Sequence, residues 1–127
     1  MKRYVIMGDE YLTSLEIKEV VRQLRPDYNL LCIIEDMDTS AEYLNRHDVD
    51  LIIADVELSD GSSADAIRRS NNRLTPVIFA TPYRKGNPKH SDMNVIDYLT
   101  KPISDAALLD SMVKFETRLT KQDKCNN

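Results

Sequence analysis

Glycine is scarce in this chain. There are three among 127 residues, Gly8, Gly61 and Gly86. None sits in a G-x-G-x-x-G or G-x-x-x-x-G-K-[ST] pattern, which argues against the common glycine-rich phosphate cradles of nucleotide and flavin enzymes. Cysteine is scarcer still. Cys32 lies in an apolar run and Cys125 in a polar stretch, so there is no disulfide framework. A reducing, cytoplasmic setting is the expectation. No apolar run approaches about 18 residues, so no helical membrane span is expected, and the apolar stretch near Met1 is too short for a signal peptide. A surplus of positive charge is also missing. Lys and Arg number 17 against 21 Asp and Glu, a formal net charge of -4. A mildly acidic domain lacks the basic patch that supplies most non-specific affinity for nucleic acid, so direct nucleic-acid contact is not expected.

What remains suits one ordinary domain. Hydrophobic residues make up 42% and charged residues 30%, enough for a single core and a well-solvated surface. The apolar residues fall into short runs at Tyr4–Met7, Leu30–Ile34, Leu51–Val56 and Val77–Ala80, with a weaker one at Val95–Leu99. Runs that are apolar throughout predict strands buried on both faces, as in a parallel sheet. The segments between them predict helices. Over 11–24, Ile17, Val20, Val21 and Leu24 recur at helical spacing, and Pro26 stops the helix. A helix over 38–46 opens on Asp38 or Thr39, and one over 62–71 follows the Ser59-Asp60-Gly61 turn. A last helix over 104–121 starts at Ser104 or Asp105 and carries a core stripe from Leu108 to Leu119. This β-α alternation predicts an α/β fold, a doubly wound five-stranded parallel sheet. In such sheets the functional crevice lies at the carboxyl ends of the strands.

The residues just past those ends form a coherent chemical set. Strand one runs into Gly8-Asp9-Glu10, strand three ends on Asp55, strand four delivers Thr81, and strand five delivers Lys101-Pro102. Two carboxylates brought close together repel, and a cation between them is the natural resolution. Mg²⁺ takes hard oxygen ligands and keeps some of its waters. A lysine ammonium and a threonine hydroxyl add donors for the oxygens of a phosphoryl group, and one carboxylate can serve as the nucleophile that forms an aspartyl phosphate.

In this order, the stretches VIMGDE, DLIIADVELSDG, VIFATPY and VIDYLTKPIS resemble the receiver domains of bacterial two-component response regulators, those of the LytTR class above all. The resemblance covers about residues 3–120. It implies a flavodoxin-like (CheY-like) fold and a phosphoacceptor domain that is a switch rather than a metabolic enzyme. Asp55 matches the phosphoacceptor and Asp9 the second acid of the Mg²⁺ pair. Thr81 matches the switch hydroxyl, and Lys101 the lysine that contacts the phosphoryl group, with a cis peptide bond to Pro102. Tyr98 matches the aromatic coupled to Thr81. Glu57 matches the residue whose backbone carbonyl completes the metal shell. The implied partners are a sensor histidine kinase and a second copy of the chain. The implied organisation is a receiver over 1–121 and a polar tail over 122–127 leading towards an output domain that controls transcription.

Two features depart from that pattern. Gly8 stands where the first acid of the pair is expected, which predicts weakened but surviving Mg²⁺ binding through Asp9 and Asp55. Glu10 belongs to the ordinary pattern and is not an evident replacement. Between Thr81 and strand five, Gly86 and Pro88 disfavour a long helix. A fourth helix that is short or irregular, at about 88–93, is expected there, with Tyr83, Arg84, Lys85, Lys89 and His90 exposed. These departures keep a second reading open, a receiver-like interaction module that no longer depends on phosphate. Taken alone, His47 and His90 read as surface residues and Asp60-Gly61 as a turn.

Overall fold

The structure is a computed structural model and describes residues 2–82, 90 and 92–125. Five strands form one parallel sheet: β1 (Arg3–Met7), β2 (Asn29–Ile34), β3 (Leu51–Asp55), β6 (Val77–Thr81) and β7 (Val95–Thr100). Their order is β2-β1-β3-β6-β7. A two-residue pair, β4 (Glu57–Leu58) and β5 (Gly61–Ser62), makes a small antiparallel hairpin just beyond β3. The helices are α1 (Tyr11–Leu24), α2 (Met37–Arg46), α3 (Ser63–Arg69) and α4 (Asp105–Cys125). This is the doubly wound, flavodoxin-like arrangement expected of the sequence.

The sheet is covered on both faces, as continuous apolar strands require. Side chains alternate along each strand. Val5, Met7, Ile52, Ala54, Val77 and Phe79 face a layer with Met37 and Leu44 of α2 and Ala66 and Ile67 of α3. Tyr4, Ile6, Leu51, Ile53 and Ile78 face the other layer, with Ile17 and Val21 of α1 and Leu108, Met112 and Phe115 of α4. Each large aliphatic or aromatic side chain taken out of water here contributes roughly 1.5–3 kcal/mol. Among the described residues, no helix is long and apolar enough to cross a membrane.

Element ends differ from expectation where a side chain decides them. The N-cap of α2 is Asp36, not Asp38 or Thr39. Its carboxylate accepts the Thr39 N–H at 2.9 Å, the geometry a short acidic cap provides. Asp60 does more than turn the chain, because its carboxylate accepts the Met37 N–H at 3.1 Å. Gly61 follows with φ of 148°, and a Cβ there would stand 2.1 Å from Met37 Sδ. Glycine is required on both counts. Helix α3 is shorter than expected, and α4 continues past the expected end at Lys121 to Cys125. The short helix expected at about 88–93, with exposed Tyr83, Arg84, Lys85 and Lys89, falls largely outside the described residues.

Contacts distant in sequence fasten α4. Arg25, the residue after α1, donates from Nε and Nη2 to both carboxylate oxygens of Glu116, at 2.8 and 2.9 Å. Tyr28 donates its hydroxyl to the same carboxylate. On β7, Asp97 accepts from Ser111 Oγ at 2.7 Å and Lys114 Nζ at 3.0 Å. The Arg25 guanidinium, aided by Tyr28, holds the Glu116 carboxyl below its ordinary range. That stabilisation is present above the unfolded carboxyl value and is lost as pH falls through the lower folded value. Replacing Glu116 by Gln is expected to cost about 1 kcal/mol at pH 7, a charged hydrogen bond discounted for partial exposure. Urea unfolding should show the difference shrinking at pH 3; an equal deficit at both pH values would refute the ionic origin.

Candidate functional site

The parallel register levels the carboxyl ends of four adjacent strands. Met7 pairs with Ala54, Asp55 with Ala80, and Thr81 with Thr100. Backbone hydrogen bonds carry the alignment past the strand ends, from Gly8 N–H to Ile34 O at 2.9 Å and from Lys101 N–H to Thr81 O at 2.8 Å. Asp9, Asp55, Thr81 and Lys101, expected to share one edge, are therefore brought together. The Lys101–Pro102 peptide bond is cis.

Asp55 is the buried member, with 7% of its surface exposed. Its Oδ1 lies 2.9 Å from Lys101 Nζ. The same ammonium lies 3.1 Å from Glu10 Oε1, so one lysine bridges two carboxylates. Burial pushes the Asp55 carboxyl up. Lys101 opposes that rise, while the charges of Glu10 and Asp9 add to it. Burial opposes the Lys101 charge, but the bonds to Asp55 and Glu10 outweigh it and hold its pKa above the ordinary lysine value. Carboxylate oxygens of Asp9, Glu10 and Asp55 lie within 4.8 Å of one another. Hard anionic oxygens with solvent access are the donor set Mg²⁺ takes, so these residues fit such an ion after small side-chain adjustments.

Gly8 faces this cluster directly. A Cβ there would stand 3.0 Å from Asp55 Oδ2 and 3.2 Å from Ser14 Oγ. The missing acid is therefore missing from the site itself. Thr81 is buried at the end of β6. Glu57 lies two residues past Asp55 on β4, its side chain exposed.

Tyr98 is half-buried on β7, and its hydroxyl is 2.7 Å from His90 Nδ1. This corrects the expectation of a surface His90, which is only 4% exposed. Its ring packs on Phe79 at 4.6 Å between centroids and stacks with Tyr98 at 5.8 Å. Sequence pattern missed this because an isolated histidine outside any periodic segment carries no burial signal. His47, by contrast, is exposed as expected. Burial, with the nearby Arg68 charge, holds the His90 imidazole below its ordinary value, while Asp92 and Asp65 pull the other way. Glu10 is the other residue to which the sequence assigns no site role. Its place in the chain marks it as the N-cap of α1, yet its side chain makes no cap hydrogen bond and reaches Lys101 instead.

No family model matches the chain. It is similar to the sensory transduction protein LytT of Bacillus subtilis, 25% identical over 118 residues that cover 91% of this chain and 48% of the relative. The chain thus spans about half the length of the curated relatives it matches. A CheY-like response regulator receiver domain protein from Methanospirillum hungatei superposes with a TM-score of 0.75 at 18% identity, covering 98% of each chain. The receiver domain of a sensor histidine kinase from Pseudomonas aeruginosa, with a magnesium ion coordinated in its active-site cleft, superposes with a TM-score of 0.72 at 23% identity. It covers 91% of this chain and 98% of its own.

Two outcomes follow from the titrating groups. A carboxyl held above its unfolded pKa favours the folded state at low pH, and that advantage is lost as pH rises through the folded value. Asp55→Asn is therefore expected to stabilise the domain at pH 7 by on the order of 1 kcal/mol. Urea unfolding at pH 7 and pH 4 measures it; a destabilised variant at pH 7 would show that the Lys101 pairing outweighs burial and repulsion. For His90 the sign is opposite. A base held below its unfolded pKa leaves stability complete above about 6.5 and eroding as pH falls below that value. Ring-proton NMR should find the His90 midpoint under 6.5, and a midpoint at or above it would contradict a buried neutral ring.

Proposed function

We infer that this chain, a response-regulator receiver domain by sequence relationship and fold, accepts a phosphoryl group on Asp55. The carrying observation is the buried Asp55 carboxylate held at 2.9 Å by Lys101, beside Asp9 and Glu10 at the edge of the sheet. A carboxylate is already ionised near neutral pH, so the attack needs no general base. An Asp55 oxygen attacks phosphorus of a phosphohistidine, presented by a sensor histidine kinase. An acyl phosphate forms as the P–N bond breaks, and its electron pair leaves with the imidazole. Lys101 has the charge and reach to neutralise the added phosphoryl oxygens, and Thr81 has a hydroxyl to donate to them. Mg²⁺, held by Asp9, Asp55 and the Glu57 carbonyl, would supply further charge neutralisation at the phosphoryl oxygens.

Phosphorylation of this kind acts as a switch, because new charge-assisted bonds bias a loop between two arrangements. Thr81 and Tyr98 lie on the neighbouring strands β6 and β7 and are the groups proposed to move. The surface that changes would contact a second copy or an output segment, and the end effect would be control of transcription by a cytoplasmic regulator. A receiver-like module independent of phosphate is the alternative, favoured by one observation, the absence of an acid at Gly8.

Beryllofluoride, which mimics an aspartyl phosphate, separates the two readings. With Mg²⁺ present, amide NMR should show shifts at Thr81 and Tyr98 that vanish in Asp55→Asn. A folded protein unmoved by beryllofluoride at millimolar Mg²⁺ would leave the phosphate-independent module as the function.

A further inference from the structure

Position 8 points into the site, as its ideal Cβ 3.0 Å from Asp55 Oδ2 requires, and glycine there removes one carboxylate from it. Glu10 is close enough to supply another. It occupies the N-cap of α1, where a short polar side chain normally accepts a backbone N–H of the first turn. The Glu10 side chain makes no such bond. It turns into the site, placing Oε1 3.1 Å from Lys101 Nζ and an oxygen within 4.8 Å of those of Asp9 and Asp55.

Resting on the reading of this site as a metal-dependent phosphoacceptor, we propose that Glu10 replaces the acid missing at Gly8 as the third carboxylate of the divalent-cation site. Charge supports the assignment. Among the described residues, Asp9, Glu10 and Asp55 against Lys101 leave two net negative charges at the cluster, which a dication balances. Without Glu10 only one would remain. The third anion of the site is drawn from the N-cap of a helix rather than from the strand end. Mg²⁺ commonly binds through one or two carboxylates and waters, so the added anion tunes affinity rather than creating the site.

Mg²⁺ titration of the folded protein, followed by amide NMR at Asp9, Asp55 and Thr81, tests this directly. Glu10→Gln is expected to weaken Mg²⁺ binding about tenfold with the unfolding midpoint little changed, since the side chain caps nothing and its solvent-exposed pair with Lys101 contributes little to stability. Gly8→Asp combined with Glu10→Gln is expected to recover the affinity; Asp55 and Ser14 side chains can give the few tenths of an ångström that the new Cβ needs. The Glu10 effect should persist in a Lys101→Gln background, where a role exercised through the lysine would disappear. Equal Mg²⁺ affinity in the wild type and Glu10→Gln, or an effect lost with Lys101, would overturn the assignment of Glu10. No saturable Mg²⁺ binding by the wild type would instead overturn the metal-dependent reading of the whole site.

Discussion

A carboxylate buried at the edge of a sheet is the constraint around which this molecule is arranged. Asp55 has lost most of its water, and an isolated buried charge is costly. The compensation comes from Lys101, at 2.9 Å, and Lys101 reaches it only because β6 lies between β3 and β7 in parallel register. Shift β7 by one residue and the lysine would face the other side of the sheet. The ion pair therefore depends on every ladder that joins the two strands. The same levelling brings Asp9 to the cluster from β1. Two further carboxylates crowd Asp55, and among the described residues the Lys101 ammonium pairs with Asp55 and Glu10, so the cluster stays net negative.

The scaffold tolerates that imbalance because its two apolar layers carry the stability. Strands β1, β3 and β6 send alternate residues to opposite faces, and both faces are closed by helices. Polar groups elsewhere fasten those helices. Glu116 collects Arg25 and Tyr28 from the end of α1 and the start of β2, and Asp97 ties β7 to α4. These contacts lie on the face of the sheet that holds α1 and α4. The opposite face is closed at its far edge by the ring stack of Phe79, His90 and Tyr98. The aromatic proposed to move thus packs against the apolar core while its hydroxyl meets His90 and its ring meets Phe79 and His90.

Much of this was legible beforehand. Continuous apolar runs identified the strands, and the helical stripe of Ile17, Val20, Val21 and Leu24 identified α1 to its ends. The residues after each strand identified the contents of the edge. The errors have particular causes. The cap of α2 moved to Asp36 because several adjacent acids compete for one N-terminus and only backbone geometry chooses among them. A surface His90 is what an isolated histidine implies, since the tyrosine hydroxyl that satisfies it in the core comes from another segment. Glu10 has no role of its own in the sequence because it belongs to the ordinary pattern of the resemblance, and only the fold shows its side chain meeting Lys101.

The sequence by itself determined which segments become strands and helices, that the sheet is parallel and doubly wound, and which residues stand at its carboxyl edge. All of these follow from local periodicity and from the rule that apolar strands must be covered on both faces. Only the tertiary structure decided which side chains meet. Lys101 and Glu10 are 91 residues apart, as are Arg25 and Glu116, and His90 meets Tyr98 across a loop. Side-chain direction at such places is set by how helices and loops dock on the sheet, a sum of many weak contacts that no single stretch of sequence contains.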